Sequence, residues 1–489
     1  MNILTLLAVV SLIPQPNKII EGEGECTNLT IRVGVGANLK SEAYLLRVTT
    51  DGIVVWGGLA GQFYARQTLE QLYRRDAKGN PIACPCLEIA DGPRYSWRGL
   101  HFDDCRHFFG KETLKKTLDL MARYKMNRLH WHLTDDQGWR LDIPDHPELV
   151  KYGAVRSQSP LQGAHPSSGK DQDREMLDGV RYGPFYYTEA DVKEIIAYAA
   201  ERHITIVPEI ELPGHVQSVL AAYPALACVP KNVADRDPRV VWGIADDVLC
   251  LGNDESIKLF EDVLDYVAKL FPSEVIHIGG DECPQKRWKT CPKCQARIQA
   301  EKLGDEKGLQ PWVTRHFIKF LADRGKRTLG WDEYLIGDVP KSAMGMSWRS
   351  GDWDKEHELV SGAVAAMRGH DIVMTPNSHC YLDYAQGLKD DPFCYIGGNL
   401  PISKCYALDP CAGVPEEAKP HILGGQGNNW SEYTWNRHDL EWKMWPRACA
   451  LAEVFWSGEN RPGFADFKRR MKRERKWLIT NHVNCAPLE

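Results

Sequence analysis

From residue 98 onward the chain alternates short apolar runs with longer amphipathic stretches, and each run ends in polar, aromatic or glycine residues. Eight runs are countable: RGLHFDD from 98, NRLHWHLTDD from 127, ITIVPEIELPG from 204, VIHIGGDE from 275, RTLGWDE from 327, AMGMSW from 343, DIVMTPNS from 371 and ILGGQGNNW from 422. Two intervening stretches carry a clear helical period. TEADVKEIIAYAAERH opens with Thr188 and Asp191 at capping-box spacing and sets Val192, Ile195, Ile196 and Ala199 on one stripe. Further on, Ile257, Phe260, Leu264, Val267 and Phe271 recur at intervals of three and four. Strands alternating with helices predict a parallel sheet, and eight of them with chemistry-bearing tails predict a (β/α)8 TIM barrel that works at its C-terminal face.

Ahead of this region, LLRVTTDGIVVW at 45–56 reads as a hairpin around Asp51-Gly52. A helical stretch follows with Phe63, Tyr64, Leu69 and Leu72 for its inner face, and Asp91-Gly92-Pro93 punctuates its end. The expected organisation is a small N-terminal α/β domain over 1–92 and a catalytic barrel over 93–489. Within residues 1–10, ILTLLAVV is too short to span a bilayer. It has the apolar character of an export signal, but no Lys or Arg precedes it and no A-x-A site follows.

Composition narrows the function classes. A net charge of -6 with 26% charged residues is that of an ordinary globular protein, and no basic patch stands out. Neither a nucleic-acid partner nor a membrane span is expected. The sixteen tryptophans supply faces that stack on sugar rings or pack cores. Fifteen cysteines, many of them singles such as Cys105, Cys228, Cys250 and Cys449, make a poor disulfide framework. Cys283, Cys291 and Cys294 are three thiols that need a fourth ligand to hold zinc. Structural cysteines, reduced or disulfide-linked, are expected there, and no metal.

A barrel would gather the tails of its strands around one pocket. Those tails offer Asp103, Asp104, Arg106, Asp135, Asp136, Glu209, Glu211 and His215, then Asp281, Glu282, Trp331, Asp332, Trp348, Trp430 and Glu432. Such a pocket is acidic and aromatic, suited to a polyhydroxylated ligand. The adjacent pair Asp281-Glu282 is its most informative element. Glycosidase carboxyls normally flank the scissile bond about 5–5.5 Å apart for retention, or about 6.5–9.5 Å for inversion. Neighbours on a strand diverge to opposite sides, so they should do different work. One would be a general acid whose pKa is lifted by its neighbour and by an indole-lined site. The other would stay ionised and steady a developing positive charge. An isolated Asp-Glu is more often an exposed turn. The preceding apolar run, Gly279-Gly280 and the barrel context favour a site.

Six ordered motifs, CRHFFG at 105–110, HWHLTDDQGWR at 130–140, PEIELPGH at 208–215, HIGGDE at 277–282, YLDY at 381–384 and NWSEY at 429–433, resemble those of glycoside hydrolase family 20, the β-N-acetylhexosaminidases, of bacterial type. The likeness implies a glycan substrate with a terminal, non-reducing β-linked GlcNAc or GalNAc. It also implies exo action and net retention through the substrate's own 2-acetamido group, with no cofactor. By motif, Glu282 is the implied acid/base and Asp281 the residue that orients the acetamido group. Tyr381 is the implied donor to the acetamido carbonyl, and Trp331, Trp348 and Trp430 the cage around its methyl. Arg106, Glu432 and Asp383 are implied ligands of the ring hydroxyls, and Asp135 and His215 a pair that hydrogen-bonds toward the acid. A periplasmic or secreted location follows from the same likeness.

Some features strain it. Glu211 stands where the family often has Asp. The sequon Asn429-Trp430-Ser431 is expected to be unused, because a glycan there would block the pocket, and the same caution applies to Asn28-Leu29-Thr30. His130 and His132 lack a visible third partner and are read as structural. Two rival readings stay open: a conventional retaining glycosidase with Glu209 or Asp332 as covalent nucleophile, and a sugar-binding protein without turnover.

Overall fold

The computed structural model describes residues 10–35, 38–164, 175–229, 236–349, 361–389, 391–392, 396–459 and 461–488. Most of the export-like segment, residues 1–9, lies outside them.

The N-terminal sheet contains β1 (Lys18–Cys26), β2 (Ile31–Val33), β3 (Tyr44–Thr49), β4 (Gly52–Gly57) and β6 (Pro81–Asp91), in the order β1-β6-β3-β4-β2, and β5 (Arg74–Arg75) pairs with β6. The β3–β4 hairpin forms, but Thr49 pairs with Gly52, so its loop is Thr50-Asp51, one residue earlier than the Asp51-Gly52 reading. The positive φ that the turn needs, 150°, falls on Gly52 as the first residue of β4. One sheet face, with Tyr44, Leu46, Val48, Ile53 and Val55, is covered by the helix Leu59–Leu72 through Tyr64, Ala65 and Leu69. The opposite face carries Leu45, Arg47, Trp56 and Glu88 and forms a shallow groove of about 400 Å³.

The barrel strands are β7 (Trp97–Asp103), β8 (Arg128–His132), β11 (Thr205–Glu209), β12 (Val275–His277), β13 (Arg327–Trp331), β14 (Met344–Ser347), β15 (Ile372–Met374) and β16 (Ile422–Gly427). Between the second and third, β9 (Thr134–Asp135) and β10 (Gly138–Trp139) form a small antiparallel pair. Every barrel neighbour is parallel, and β16 closes on β7. Each strand coincides with one of the eight apolar runs, β7 starting one residue ahead of its run at Trp97, as buried strands should. Val207, Leu329, Met344, Met346 and Val373 pack as a cluster with Trp97 and Trp331, filling the barrel rather than leaving a pore. The capping box at Thr188 and Asp191 is present at the start of the helix Glu189–Ala200.

Buried polar contacts join sheet to barrel. Lys125 Nζ lies 3.0 Å from Asp91 Oδ2 with both side chains out of solvent. Trp456 Nε1–H and the Tyr44 hydroxyl donate to the same carboxylate. Arg98 forks onto Glu42 at 2.7 and 3.2 Å.

Candidate active site

The strand β12 stops at His277, and the chain then turns through Gly279 at φ 61° and Gly280 at φ 97°. A Cβ on Gly279 would lie 1.8 Å from Glu211 Oε2, so only glycine fits the turn. Glu282 itself has φ 45°, a left-handed conformation that side chains other than glycine rarely adopt. This backbone overturns the strand-alternation expectation. Instead of diverging, both carboxylates face one imidazole: His215 Nε2 lies 3.7 Å from Asp281 Oδ2 and 3.6 Å from Glu282 Oε2.

The electrostatics divide the pair differently from the sequence reading. Burial pushes the Asp281 carboxyl up, His215 opposes, and the charges on Glu209 and Glu282 add to the rise. Burial acts on Glu282 in the same sense but is outweighed by the hydrogen bond and charge of His215, then by Arg106 and Arg349, which hold it below the usual glutamate value. Thus, without a ligand, the residue assigned as the acid is not the one whose pKa is lifted. The reason is the imidazole, which burial would keep neutral but which Asp135 above all, with Asp136 and Glu282, keeps charged well above the ordinary histidine range.

Behind His215 runs a buried ion network. His215 Nδ1 is 3.5 Å from Asp135 Oδ1 and 3.3 Å from Asp136 Oδ2. Asp135 Oδ2 also meets Arg106 Nη2 and His132 Nε2, each at 2.8 Å. Burial would raise the Asp135 pKa, yet Arg106, His215 and His132 together hold it far below the carboxylate norm. His132 in turn bonds Glu209 through Nδ1. Burial would lower its pKa, but the charge of Glu209 and its bonds to Asp135 and Glu209 raise it to about 10. Glu209 is thus the common partner that the sequence did not reveal for His130 and His132. Its carboxylate lies 3.0 Å from His130 Nε2 and 2.9 Å from His277 Nδ1, and accepts the Trp331 Nε1–H at 2.9 Å.

Above this layer opens a cavity of about 270 Å³, near the small end of ligand-site volumes and matched to a single sugar ring. Of the residues singled out from sequence, Arg106, His215, Asp281, Glu282, Trp331, Trp348, Tyr381, Asp383, Trp430 and Glu432 line it, while Asp135 stands behind. The Trp331 and Trp430 rings are 5.5 Å apart and tilted by 43°, and Trp348 stacks on Tyr381 at 6.0 Å. Arg106 lies over Trp430 at 5.0 Å and 4.0 Å from Glu432 Oε1. Both Asp383 oxygens and Asp281 Oδ1 are buried without a hydrogen-bond partner. Buried acceptors left unpaired at a cavity wall are what a ligand's hydroxyl and amide hydrogens would satisfy. Burial, reinforced by the charge of Glu432, lifts Asp383 to about 7.

Sequence reasoning passed over Glu333, although it ends the β13 run TLGWDE. Its carboxylate accepts the Glu282 N–H at 3.1 Å and the Trp348 Nε1–H at 3.1 Å, and pairs with Arg349. It therefore fixes the strained backbone of Glu282 and one indole wall together. Tyr384, the last residue of the YLDY motif, also lines the cavity, as do Ile396, Gly397 and Gly398, which no motif marks. Asn429 is only 1% exposed, so a glycan on it is incompatible with this fold. Glu209 has its oxygens occupied by histidines and Trp331, and Asp332 Oδ2 accepts the Trp348 N–H at 3.2 Å. Neither reaches the cavity wall, which disfavours both as covalent nucleophiles.

The chain is similar to known proteins in sequence and in fold. The family description "Glycosyl hydrolase family 20, catalytic domain" matches residues 95–459, and "Glycosyl hydrolase family 20, domain 2" matches residues 21–92. A beta-hexosaminidase of Porphyromonas gingivalis is 40% identical over 90% of this chain, which spans only 54% of that relative. One from Akkermansia muciniphila is 34% identical over 96% of this chain and 91% of its own length. Among solved structures, a β-N-acetylhexosaminidase superposes with a TM-score of 0.84 at 31% identity, covering 97% of both chains. An exo β-N-acetylglucosaminidase from Vibrio harveyi, solved with N-acetylglucosamine, gives 0.83 at 28% identity over 97% of this chain and 78% of that one. The chain belongs to glycosyl hydrolase family 20.

Proposed function

We propose that this protein is an exo-acting β-N-acetylhexosaminidase that removes terminal, non-reducing β-linked GlcNAc or GalNAc with retention, using the substrate's acetamido oxygen as nucleophile. The observation that carries the reading is the convergence of Asp281 and Glu282 on His215 at a cavity sized for one ring and walled by three indoles and Tyr381.

Glu282 delivers a proton to the glycosidic oxygen as the acetamido oxygen attacks C1. The C1–O bond breaks, the aglycone leaves as an alcohol, and an oxazolinium ring remains. Asp281 accepts the acetamido N–H and offsets the charge of that ring, while the Tyr381 hydroxyl donates to the carbonyl oxygen. Glu282, now a carboxylate, takes a proton from the water that opens the ring at C1. Two inversions return the β-anomer. The lowered pKa of Glu282 belongs to a side chain still 35% exposed. A sugar that covers it strips away water, and an acetamide N–H on Asp281 favours charge there. Both changes let Glu282 hold its proton.

Asp383, Arg106 and Glu432 would take the ring hydroxyls, and the unpaired oxygens of Asp383 supply the acceptors. Polymeric and glycolipid substrates of this kind lie outside the cytoplasm, so the reading includes export to the periplasm or medium. Recovery of the activity in cytoplasm alone would refute that part.

Turnover of a chromogenic β-N-acetylglucosaminide by the wild type, beside Glu282→Gln and Asp281→Asn, tests the assignment. Each substitution should cost two or more orders of magnitude in kcat, since general acid catalysis alone supplies about 10²–10⁴-fold. Binding of GlcNAc by the wild type without turnover would leave a sugar-binding protein instead.

A further inference from the structure

Cys228, Cys250, Cys291 and Cys294 come from three stretches of chain, yet all four Sγ atoms lie within 4.8 Å of one another. Three separations, Cys228–Cys294, Cys250–Cys291 and Cys250–Cys294, are each 3.7 Å. A disulfide needs about 2.05 Å. Four thiolates about 2.3 Å from a tetrahedral ion stand about 3.8 Å apart, which is the spacing seen.

The local backbone builds this arrangement. Ala227 bridges to Leu249, and the Cys250 N–H donates to Leu226 O at 2.9 Å, which sets Cys228 and Cys250 side by side. Cys291 caps the helix Pro292–Ala300 and Cys294 occupies its first turn, so the C-x-x-C spacing points both sulfurs the same way. The turn after Cys250 presses onto that helix start: a Cβ on Gly252 would lie 2.1 Å from the Lys293 carbonyl carbon. Three of the thiols are buried and Cys228 is half-buried. The sequence grouping of Cys283 with Cys291 and Cys294 is revised here. Cys283 follows Glu282 into the surroundings of His215, and Cys228 and Cys250 complete the set.

We propose that this chain holds one structural zinc ion on Cys228, Cys250, Cys291 and Cys294. Four thiolates leave no open position for substrate or water, and none of them lines the catalytic cavity, so the ion is a clamp rather than a reagent. It ties the stretch after β11, which carries His215, to the segment that leaves Glu282. Arg287 to Asp247 at 2.6 Å and the Trp288 Nε1–H to Leu249 O at 2.9 Å run alongside it. The proposal does not depend on the hydrolase reading.

Elemental analysis of the intact chain, produced with zinc available, should find one zinc per chain. Cys250→Ser and Cys294→Ser should lose it, while Cys283→Ser should keep it. Uptake of cobalt by zinc-depleted wild type should give the visible bands of a tetrahedral thiolate site, a readout that survives if the serine variants fail to fold. Wild type that carries no zinc, or iron in its place, overturns the proposal. So does peptide mapping that finds a Cys228–Cys294 or Cys250–Cys291 disulfide.

Discussion

His215 Nε2 stands 3.6 Å from Glu282 Oε2, and Asp135 on the far side of the ring keeps the imidazole charged. Of the groups that hold the Glu282 pKa down against burial, His215 is the foremost. Replacing His215 with Gln removes the cation, so the Glu282 pKa should rise. An opposite charge at this range is worth about 1–3 pKa units. The basic limb of the kcat/KM profile should move to higher pH by about one unit or more, while the maximum rate falls. An unmoved limb would show that His215 acts only as scaffold.

Glu333 is expected to act through Glu282 and Trp348, whose N–H groups it accepts. Glu333→Ala should lower kcat more than it raises KM, because the acid loses its backbone anchor while the hydroxyl ligands stay. Glu333→Gln keeps an acceptor oxygen and should recover part of the loss. Steady-state kinetics of both variants give the split.

Asp383 makes a separate prediction about stability. Its folded pKa is about 7 against an ordinary 3.8, so the fold prefers it protonated. Its contribution is fully present below pH 3.8 and is lost as pH rises through about 7. Asp383→Asn should leave Tm unchanged near pH 3.5 and raise it at pH 8, while GlcNAc binds more weakly. Melting curves at both pH values check the sign.

His132 has the same pH sense, although here it is the charged form that the fold favours. Its pKa is raised from 6.5 to about 10 by Glu209 and Asp135, so its ion pairs stabilise the fold fully below pH 6.5 and fade as pH climbs through 10. Wild type should lose stability across that alkaline window, and His132→Gln should show a flatter profile.

At the junction of the two domains, Asp91→Asn would leave Lys125 charged and buried without its partner. Loss of one member of a buried pair costs about 3–5 kcal/mol. Denaturant melts should show a drop of that order, and Asp91→Asn combined with Lys125→Met should regain part of it.

The barrel was legible because strands buried on both faces read as unbroken apolar runs, and their polar tails mark the working end. The hairpin near Asp51 was legible to within one residue. The direction of Asp281 and Glu282 was not, because it depends on a positive φ at Glu282, which no residue type announces. The surroundings of Glu209 are not legible in the sequence, because the histidines packed around it, His130, His132 and His277, lie on two other strands. Glu333 was hidden for a similar reason: its partner is a backbone N–H 51 positions earlier. The tetrathiol set was half visible as C-x-x-C, and the two singles that complete it meet only through a loop bridge.

The central claim is that the attacking oxygen belongs to the substrate. Fluorination of the acetamido methyl withdraws electrons from that oxygen and leaves the rest of the sugar alone. Across N-acetyl, N-difluoroacetyl and N-trifluoroacetyl β-glucosaminides with one leaving group, kcat/KM should fall steeply and in order. A flat series, or a glycosyl ester on any side chain caught by mass spectrometry during turnover, would contradict it.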